Sequence, residues 1–475
     1  MSSERKFRWF DENSCDCCGE CFAECPVLNL PKTAAKADIK SLIDGNLENS
    51  AAFRLCTTCN ACDFSCPQGA DPYELILERF DERIGEQGLP SFARLVFPNE
   101  SLNVWSGVRL LMDAGELSLL KAWEENLRIP RERILLTGFY TNLVPFLAQA
   151  KILEPLLPVA AGSEMLWGCG GDTNKLGAIG LTERVVKLCQ KTFSDLGVRE
   201  LVCSMPAEAA MLGEVLPRRY GADFSFEVGS LDDWILERLK SGEIEVVNPL
   251  GLRVTVHDNC MSRYFGGRPQ EVLREIAART GCELVEMEHN RFRALCCGWA
   301  ATIPTLHRPG QGRPFQTLAY LLSSLQRRME EAARTKAGVL LTSCPACYLF
   351  LTLIRELTGV GPQVLHTLEL VQKAAGETPV RKVERRARDV LAVAVNLLLK
   401  WLNSAEERQR FFPRPPDPAR LEPAVETPSA DARRIRRLAR VFNGPLVQNP
   451  LARRAIGALS RFSISVYRKK TRVEM

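Results

Sequence analysis

The opening residues, 1–9, lack the apolar core of a secretion signal and lack a twin-arginine pair, so export is not expected. Long apolar runs are missing too. Residues 134–153 are broken by Gly138, Asn142, Pro145, Gln149 and Lys151. Residues 390–402 fall short of the ~20 needed to span a bilayer, and Lys400 interrupts them. No transmembrane helix is expected: the chain reads as soluble, or as resting on a membrane surface. A Gly-x-Gly-x-x-Gly fingerprint is absent, which removes the usual signature of a bound dinucleotide. Eighteen cysteines in 475 residues are too few and too clustered for a disulfide scaffold, the framework of oxidising compartments. They read instead as metal thiolates in a reducing cytoplasm.

The clustering has a pattern. Cys15, Cys18, Cys21 and Cys25 are spaced by two, two and three residues and followed by Pro26. Cys56, Cys59, Cys62 and Cys66 repeat the spacing and are followed by Pro67. Three thiolates two residues apart can reach three irons of one cube as the chain coils round it. Each run resembles that of bacterial ferredoxins, which wraps a 4Fe–4S cubane and sends its fourth cysteine to the other cluster. That resemblance implies Cys15, Cys18, Cys21 and Cys66 on one cubane, and Cys56, Cys59, Cys62 and Cys25 on the other. Cys17, inside the first run, reads as a spectator. A zinc site is the bland alternative.

The cluster runs are linked by helical sequence. Residues 33–55 read as helix, with Ile39, Leu42 and Ile43 on one side and Lys36, Lys40 and Asp44 on the other. Pro72 starts a second helix over 73–84, with Leu75, Ile76 and Phe80 on its apolar face. An all-helical ferredoxin module is expected over 1–87, followed by a helical connector, 88–132. Short apolar runs then appear at 133–137, 198–202, 253–257, 283–287 and 338–342, with helical sequence between them, for example 182–193 and 269–280. Alternating strands and helices imply a parallel α/β sheet. The fold class is thus α/β, or α+β taken as a whole.

A second constellation lies in this α/β region. Cys260 closes His257-Asp258-Asn259-Cys260, Cys296-Cys297-Gly298 follows, and Cys344-Pro345-Ala346-Cys347 comes just after a strand. Ligands in parallel α/β sheets gather at the carboxyl ends of strands, so the five thiols can converge. Adjacent cysteines do not easily face one small ion, but they can clasp two irons of a larger cluster, and Gly298 lets the backbone come close. This pattern resembles the cysteine-rich CCG domain found in the B and D subunits of heterodisulfide reductase. The same domain occurs in the iron–sulphur subunits of glycolate oxidase, lactate-utilisation proteins and anaerobic glycerol-3-phosphate dehydrogenase. With the ferredoxin in front, the layout of 1–376 resembles the D subunit of heterodisulfide reductase. The resemblance implies two cubanes plus one further iron–sulphur cluster at Cys260, Cys296, Cys297, Cys344 and Cys347, the catalytic set, which does disulfide chemistry or relays electrons.

The family commonly carries two such modules, and a faded copy precedes the intact one. Phe139 stands where a cysteine would end the first strand, Trp167-Gly168-Cys169-Gly170 replaces Cys-Cys-Gly, and Cys203-Ser-Met-Pro206 retains one thiol of Cys-Pro-x-Cys. With two of five ligands left, no cluster is expected there. The division expected is a degenerate CCG module over 133–248 and an intact one over 249–376. The step from Cys297 to Cys344 is longer than usual, and 307–314 reads as a loop that can shape a partner surface. Trp299-Ala300-Ala301 replaces the glycines usual after CCG. Cys189 and Cys282 read as small buried hydrophobes. His257 donates to a cluster sulphur or fills space, and His289 is a proton carrier or structural.

Charge is divided along the chain. From residue 377 onward there are 22 Lys and Arg against 10 Asp and Glu, a net of +12; the preceding part holds 40 against 47, a net of −7. The tail is expected as a helical segment, 377–411, a Pro-rich linker, 412–431, and a basic amphipathic stretch, 432–475, with helices over 432–442 and 451–467. Such a tail suits an anionic membrane surface or an acidic partner; a solvated tail without a partner is the alternative. The localisation expected is cytoplasmic, with peripheral contact at the inner face of the membrane. The partner expected is a redox protein, a flavoprotein or a membrane cytochrome, with no nucleic acid. Three functions remain open: an oxidoreductase of heterodisulfide reductase type with disulfide reduction, an electron relay of a flavoprotein dehydrogenase of glycolate, lactate or glycerol-3-phosphate type, and a non-catalytic cluster-bearing scaffold.

Overall fold

The structure, a computed structural model, describes residues 6–90, 102–160, 168–307, 314–404, 411–412 and 427–473. Most of the expected linker and loop, residues 413–426 and 308–313, and Trp167 of the faded motif lie outside the described residues.

The first part is helical. The two cysteine runs each contain one short turn, Glu20–Ala23 and Ala61–Phe64. Between them lie α1 (Lys32–Asp44) and α2 (Ala51–Leu55). The single helix expected over 33–55 is therefore corrected to two. Gly45, at φ +82°, takes the left-handed conformation that ends α1. A 3-10 turn, Leu47–Asn49, follows, and Ser50 restarts the helix by accepting the Phe53 N–H at 3.0 Å. Asp38 helps, taking the N–H groups of Ala51 and Ala52 at 2.5 and 3.0 Å. Helix α3 (Pro72–Gln87) has proline in its first turn and buries Leu75, Ile76, Leu77 and Phe80.

Helices α4 (Val104–Arg109) and α5 (Ala114–Asn126) lead into two sheets. The first sheet has strands β1 (Arg133–Leu136), β2 (Leu157–Val159), β3 (Glu200–Cys203) and β4 (Glu227–Ser230), in the order β2-β1-β3-β4 and all parallel. Its helices are α6 (Gly171–Lys175), α7 (Ile179–Leu196), α8 (Pro206–Ala210) and α9 (Leu231–Ser241). The second sheet has β5 (Arg253–Val256), β6 (Glu283–Leu284), β7 (Val339–Thr342) and β8 (Gln363–His366). Its order, β6-β5-β7-β8, repeats that of the first, again all parallel. Its helices are α10 (Arg268–Arg279), α11 (Pro314–Arg334), α12 (Pro345–Thr358) and α13 (Thr367–Ala374). The central strands β1 and β7 are apolar without alternation because both faces are covered, as Ile134, Leu135, Leu136, Leu340 and Leu341 show by being buried. The strand expected over 283–287 is corrected to two residues at the sheet edge.

The tail is built from α14 (Val383–Asn403), α15 (Ser429–Asn443) and α16 (Pro450–Val473). Helix α15 packs on α14, while α16 lies against α11 and α12. Among the described residues no helix is long and apolar enough to cross a membrane.

Candidate metal centres

The two N-terminal cysteine runs adopt the same backbone. The second residue after the first cysteine is left-handed in both, Cys17 at φ 55° and Thr58 at φ 50°. The fourth is left-handed in both, Gly19 at φ 73° and Asn60 at φ 54°. Cys17 thus occupies the turn position that a threonine fills in the second run. A Cβ at Gly19 would lie 2.6 Å from the Lys36 nitrogen, so only glycine fits against α1. Backbone N–H groups turn toward sulphur: Thr58 to Cys56 at 3.2 Å, Leu28 to Cys25 at 3.4 Å and Ala70 to Cys66 at 3.4 Å.

The eight thiols fall into two groups. Burial pushes the Cys21 thiol up, reinforced by Cys66, Cys15 and Cys18 beside it. Burial likewise lifts Cys15 to about 11, with Cys17 and Cys66 as neighbours. Burial lifts Cys25 to about 11, with Cys59 as its nearest acidic neighbour, and Cys56 feels both Cys59 and Cys25. A small cavity is walled by Cys25, Cys56, Cys59 and Cys62 together with Phe22 and Ile76. The fourth cysteine of each run therefore lies with the three leading cysteines of the other.

The second constellation forms at the carboxyl ends of β5 and β7. Cys260 opens a 3-10 turn after β5, Cys344 is the N-cap of α12 and Cys347 lies in its first turn. Cys296 and Cys297 come from the loop after β6. Hydrogen bonds from Cys296 and Cys347 hold Cys297 well below the ordinary thiol range. The two donors are correspondingly pushed up. Cys260 lies close enough to feel Cys297 and Cys344. Gly298 sits at φ +102°, where a Cβ would be 2.9 Å from the Leu325 nitrogen, and its N–H turns to Cys296 Sγ at 3.3 Å. A thiol-only donor set of this size, with a glycine that brings α11 onto it and an amide aimed at sulphur, fits an iron–sulphur cluster.

His257 is fully buried. Arg328 Nε donates to His257 Nδ1 at 3.0 Å, and because arginine only donates, the ring proton sits on Nε2. That N–H faces Cys297 and Cys347, within 4.8 Å of one another, and has no nitrogen or oxygen partner. Burial keeps the ring neutral. Behind it, Arg328 pairs with Glu331 at 2.7 Å, and Glu331 takes His289 Nδ1 at 3.0 Å. His289 is thereby placed in a chain of partners that ends at the thiols.

Three further residues complete the site, and of these only Asp258 stands in a sequence motif. Lys175, at the end of α6 in the first half, donates to Cys260 Sγ at 3.0 Å. Burial opposes its charge, but Cys260 together with Cys296 and Tyr264 outweighs burial, and the ammonium is held. Arg263 is fully buried and donates to the carbonyls of Cys59 at 3.2 Å, Phe292 at 3.0 Å and Ala294 at 2.6 Å. It ties the second cysteine run to the loop that bears Cys296 and Cys297. Asp258 is clamped by Arg274 at 2.8 and 2.9 Å, which fixes the segment leading to Cys260.

In the first half the corresponding place is filled differently. Phe139 is buried under Trp105, with ring centroids 3.7 Å apart, and Trp105 Nε1 donates to the Phe139 carbonyl at 2.9 Å. Cys169 and Cys203 are both buried, and Cys169 is hydrogen-bonded to Cys189 of α7, so Cys189 has a polar partner as well as an apolar setting. Cys282 precedes β6 and lies 3.7 Å from the Thr280 hydroxyl. His307, the last described residue before 308–313, stacks on Phe80 at 4.1 Å and 4°.

Comparison with known proteins agrees with this geometry. Residues 14–71 match the family described as a 4Fe-4S dicluster domain, and residues 254–352 match the one described as a cysteine-rich domain, CCG. The EtfAB:quinone oxidoreductase of Syntrophomonas wolfei is 23% identical over 418 residues, covering 74% of this chain and 56% of that protein. The D subunit of the dihydromethanophenazine:CoB–CoM heterodisulfide reductase of Methanosarcina barkeri is 23% identical over 333 residues, 68% of this chain and 77% of that one. A probable membrane-anchored ferredoxin of Chromohalobacter salexigens is 24% identical, over 68% of this chain and 48% of its own. The chain thus spans about half the length of two of these three relatives. It matches a 4Fe-4S dicluster domain and a cysteine-rich domain, and is similar over most of its length to the D subunit of heterodisulfide reductase.

Proposed function

We propose that this chain is the iron–sulphur subunit of an oxidoreductase, with Cys15, Cys18, Cys21 and Cys66 holding one 4Fe–4S cubane and Cys25, Cys56, Cys59 and Cys62 the other. Cys260, Cys296, Cys297, Cys344 and Cys347 hold a further iron–sulphur cluster. When bound, these clusters supply one-electron carriers. The carrying observation is the sorting of thirteen thiols into three groups, two of them joined by Arg263. Three of the four thiols in the Cys15 group are partly exposed, against two of four in the Cys56 group and one of five in the third, which supports entry or exit of electrons at the Cys15 group. In this reading residues 133–248 are a cluster-free copy of the module at 249–376. Its role is to pack against its twin and to deliver Lys175 to Cys260.

The partner is a second redox protein. The heterodisulfide reductase relative supports cleavage of a disulfide at the five-thiol site, and the EtfAB:quinone oxidoreductase relative supports relay from a flavoprotein. The tail supports docking at an anionic membrane surface. On α16, Ile464 and Gly457 face the body, while Leu451, Leu459 and Phe462 are 72%, 67% and 68% exposed among arginines.

Electron paramagnetic resonance of anaerobically purified protein tests the assignment. Cys297→Ser is expected to remove one signal and leave two cubane signals intact. Retention of all signals would sink the five-thiol assignment. Material isolated with a flavoprotein supports the relay, and a b-type cytochrome with disulfide reductase activity supports disulfide chemistry.

A further inference from the structure

The first half has lost most thiols of its own cluster motif, yet it reaches into the site of its twin. Its Cys169-Gly170 turn, with Cys169 at φ 51° and Gly170 at φ 85°, opens directly into α6, and α6 ends on Lys175. Lys175 follows Cys169-Gly170 at the step by which Ile303 follows Cys297-Gly298. The intact half keeps a buried apolar side chain there, so the fold does not call for an amine. A buried lysine that the fold does not need costs stability unless an anion faces it.

Among the described residues, Lys175 makes one side-chain hydrogen bond, to Cys260 Sγ at 3.0 Å, and pairs with no carboxylate. Asp172, in the same helix, feels the ammonium without bonding to it. A cysteine that holds iron is a thiolate, so Lys175 faces an anion whenever the site is filled. The ammonium also acts through space on Cys296 and on Cys56 of the neighbouring cubane group. The charges acting on Cys15, Cys18 and Cys21 come chiefly from one another and from Cys17, Cys66, Asp16 and Lys32.

An electron entering the five-thiol cluster adds one negative charge where four of the five thiols are buried, and burial opposes it. Net charge and hydrogen bonds at the sulphurs set a cluster's potential, and a fixed cation offsets the burial. We infer that Lys175, supplied by the cluster-free half, is the positioning residue that raises the reduction potential of the five-thiol cluster through Cys260. The inference deepens the proposed function and rests on its cluster assignment. The step it favours is one electron leaving the cubane of the Cys56 group, which is oxidised, and entering the five-thiol cluster, which is reduced. The partner redox protein resupplies the cubane, and Lys175 keeps its proton throughout.

Potentiometric titration with dithionite decides it, read by electron paramagnetic resonance on anaerobic full-length protein whose iron has been counted. Lys175→Met keeps the apolar stem and removes the charge. The equilibrium constant for reducing the five-thiol cluster should fall at least tenfold, a midpoint lowered by about 59 mV for a one-electron couple. The midpoint of the Cys56 group should fall by less, and that of the Cys15 group least. Lys175→Arg keeps the charge and should stay within about threefold of the wild type. Lys175→Gln keeps an N–H for Cys260 without the charge and should fall as Lys175→Met does. A five-thiol midpoint unchanged or raised in a neutral variant with full iron overturns the inference and leaves the cluster assignment standing. An equal shift of all three signals overturns it as well. Loss of the third cluster's iron from both neutral variants assigns Lys175 to holding the cluster rather than setting its potential, which also overturns it. Wild-type protein without a third signal overturns the cluster assignment and this inference together.

Discussion

Gly298 shows how one atom constrains the five-thiol site. Its φ of +102° is a conformation that a side chain rarely adopts, and an added Cβ would press on the α11 backbone. The strain alone is on the order of 1–3 kcal/mol. Gly298→Ala is expected to diminish the same paramagnetic signal that Cys297→Ser removes, with the ferredoxin signals unchanged. Glu208 gives a second prediction at this scale. Its carboxyl is lifted by burial from the ordinary 4.5 to about 8. An unfolded chain releases this proton first, so the stabilising difference is full below about 4.5 and is lost as pH rises toward about 8. Glu208→Gln has no proton to lose. The thermal midpoint of the wild type should therefore fall relative to the Gln variant across that window, and parallel curves would refute the assignment.

At the scale of elements, the tail helix α16 separates two roles. Arg453 pairs with Glu356 at 2.8 Å and Arg461 donates to the Thr358 carbonyl, which fix one face to the body. Leu459 and Phe462 contact water instead. Leu459→Glu with Phe462→Glu is expected to leave the thermal midpoint within about 0.5 kcal/mol of stability, as surface changes do. The same pair should reduce co-sedimentation with anionic vesicles severalfold; unchanged sedimentation would rule out that face. The elements most legible from sequence were those built on short, largely buried runs, β1, β3, β5 and β7, because strands covered on both faces need them. The edge strands of the first sheet escaped: β2 contains Pro158, and β4 is Glu-Val-Gly-Ser and only half covered. The break after α1 was written in Gly45 but outweighed by the helical periodicity around it.

For the whole molecule, Arg263 is one of the residues that tie the helical module to the second half, through the loop that bears Cys296 and Cys297. Arg263→Met would leave the carbonyls of Cys59, Phe292 and Ala294 buried without that donor, at about 1–3 kcal/mol for each group stranded. A lowered thermal midpoint and faster iron loss from both adjoining sites are expected, and a Lys replacement should restore little because it cannot fork to three carbonyls. The two N-terminal cysteine runs were legible because each is local in sequence, whereas the five-thiol set rested on its resemblance to the CCG domain. Lys175, Asp172 and Glu208 were not legible in that way. Each stands far along the chain from Cys260 and approaches it only because the first half packs against the turn that Cys260 opens.

The crossed grouping of Cys25 and Cys66 has a consequence for maturation. A nascent chain that has emerged only as far as residue 55 offers Cys15, Cys18 and Cys21 without Cys66, and Cys25 without its three companions. Neither nest of four exists until the second run has been synthesised and folded back. Delivery of iron and sulphide is thereby deferred until the two loops have closed on each other, and partly loaded intermediates should be scarce.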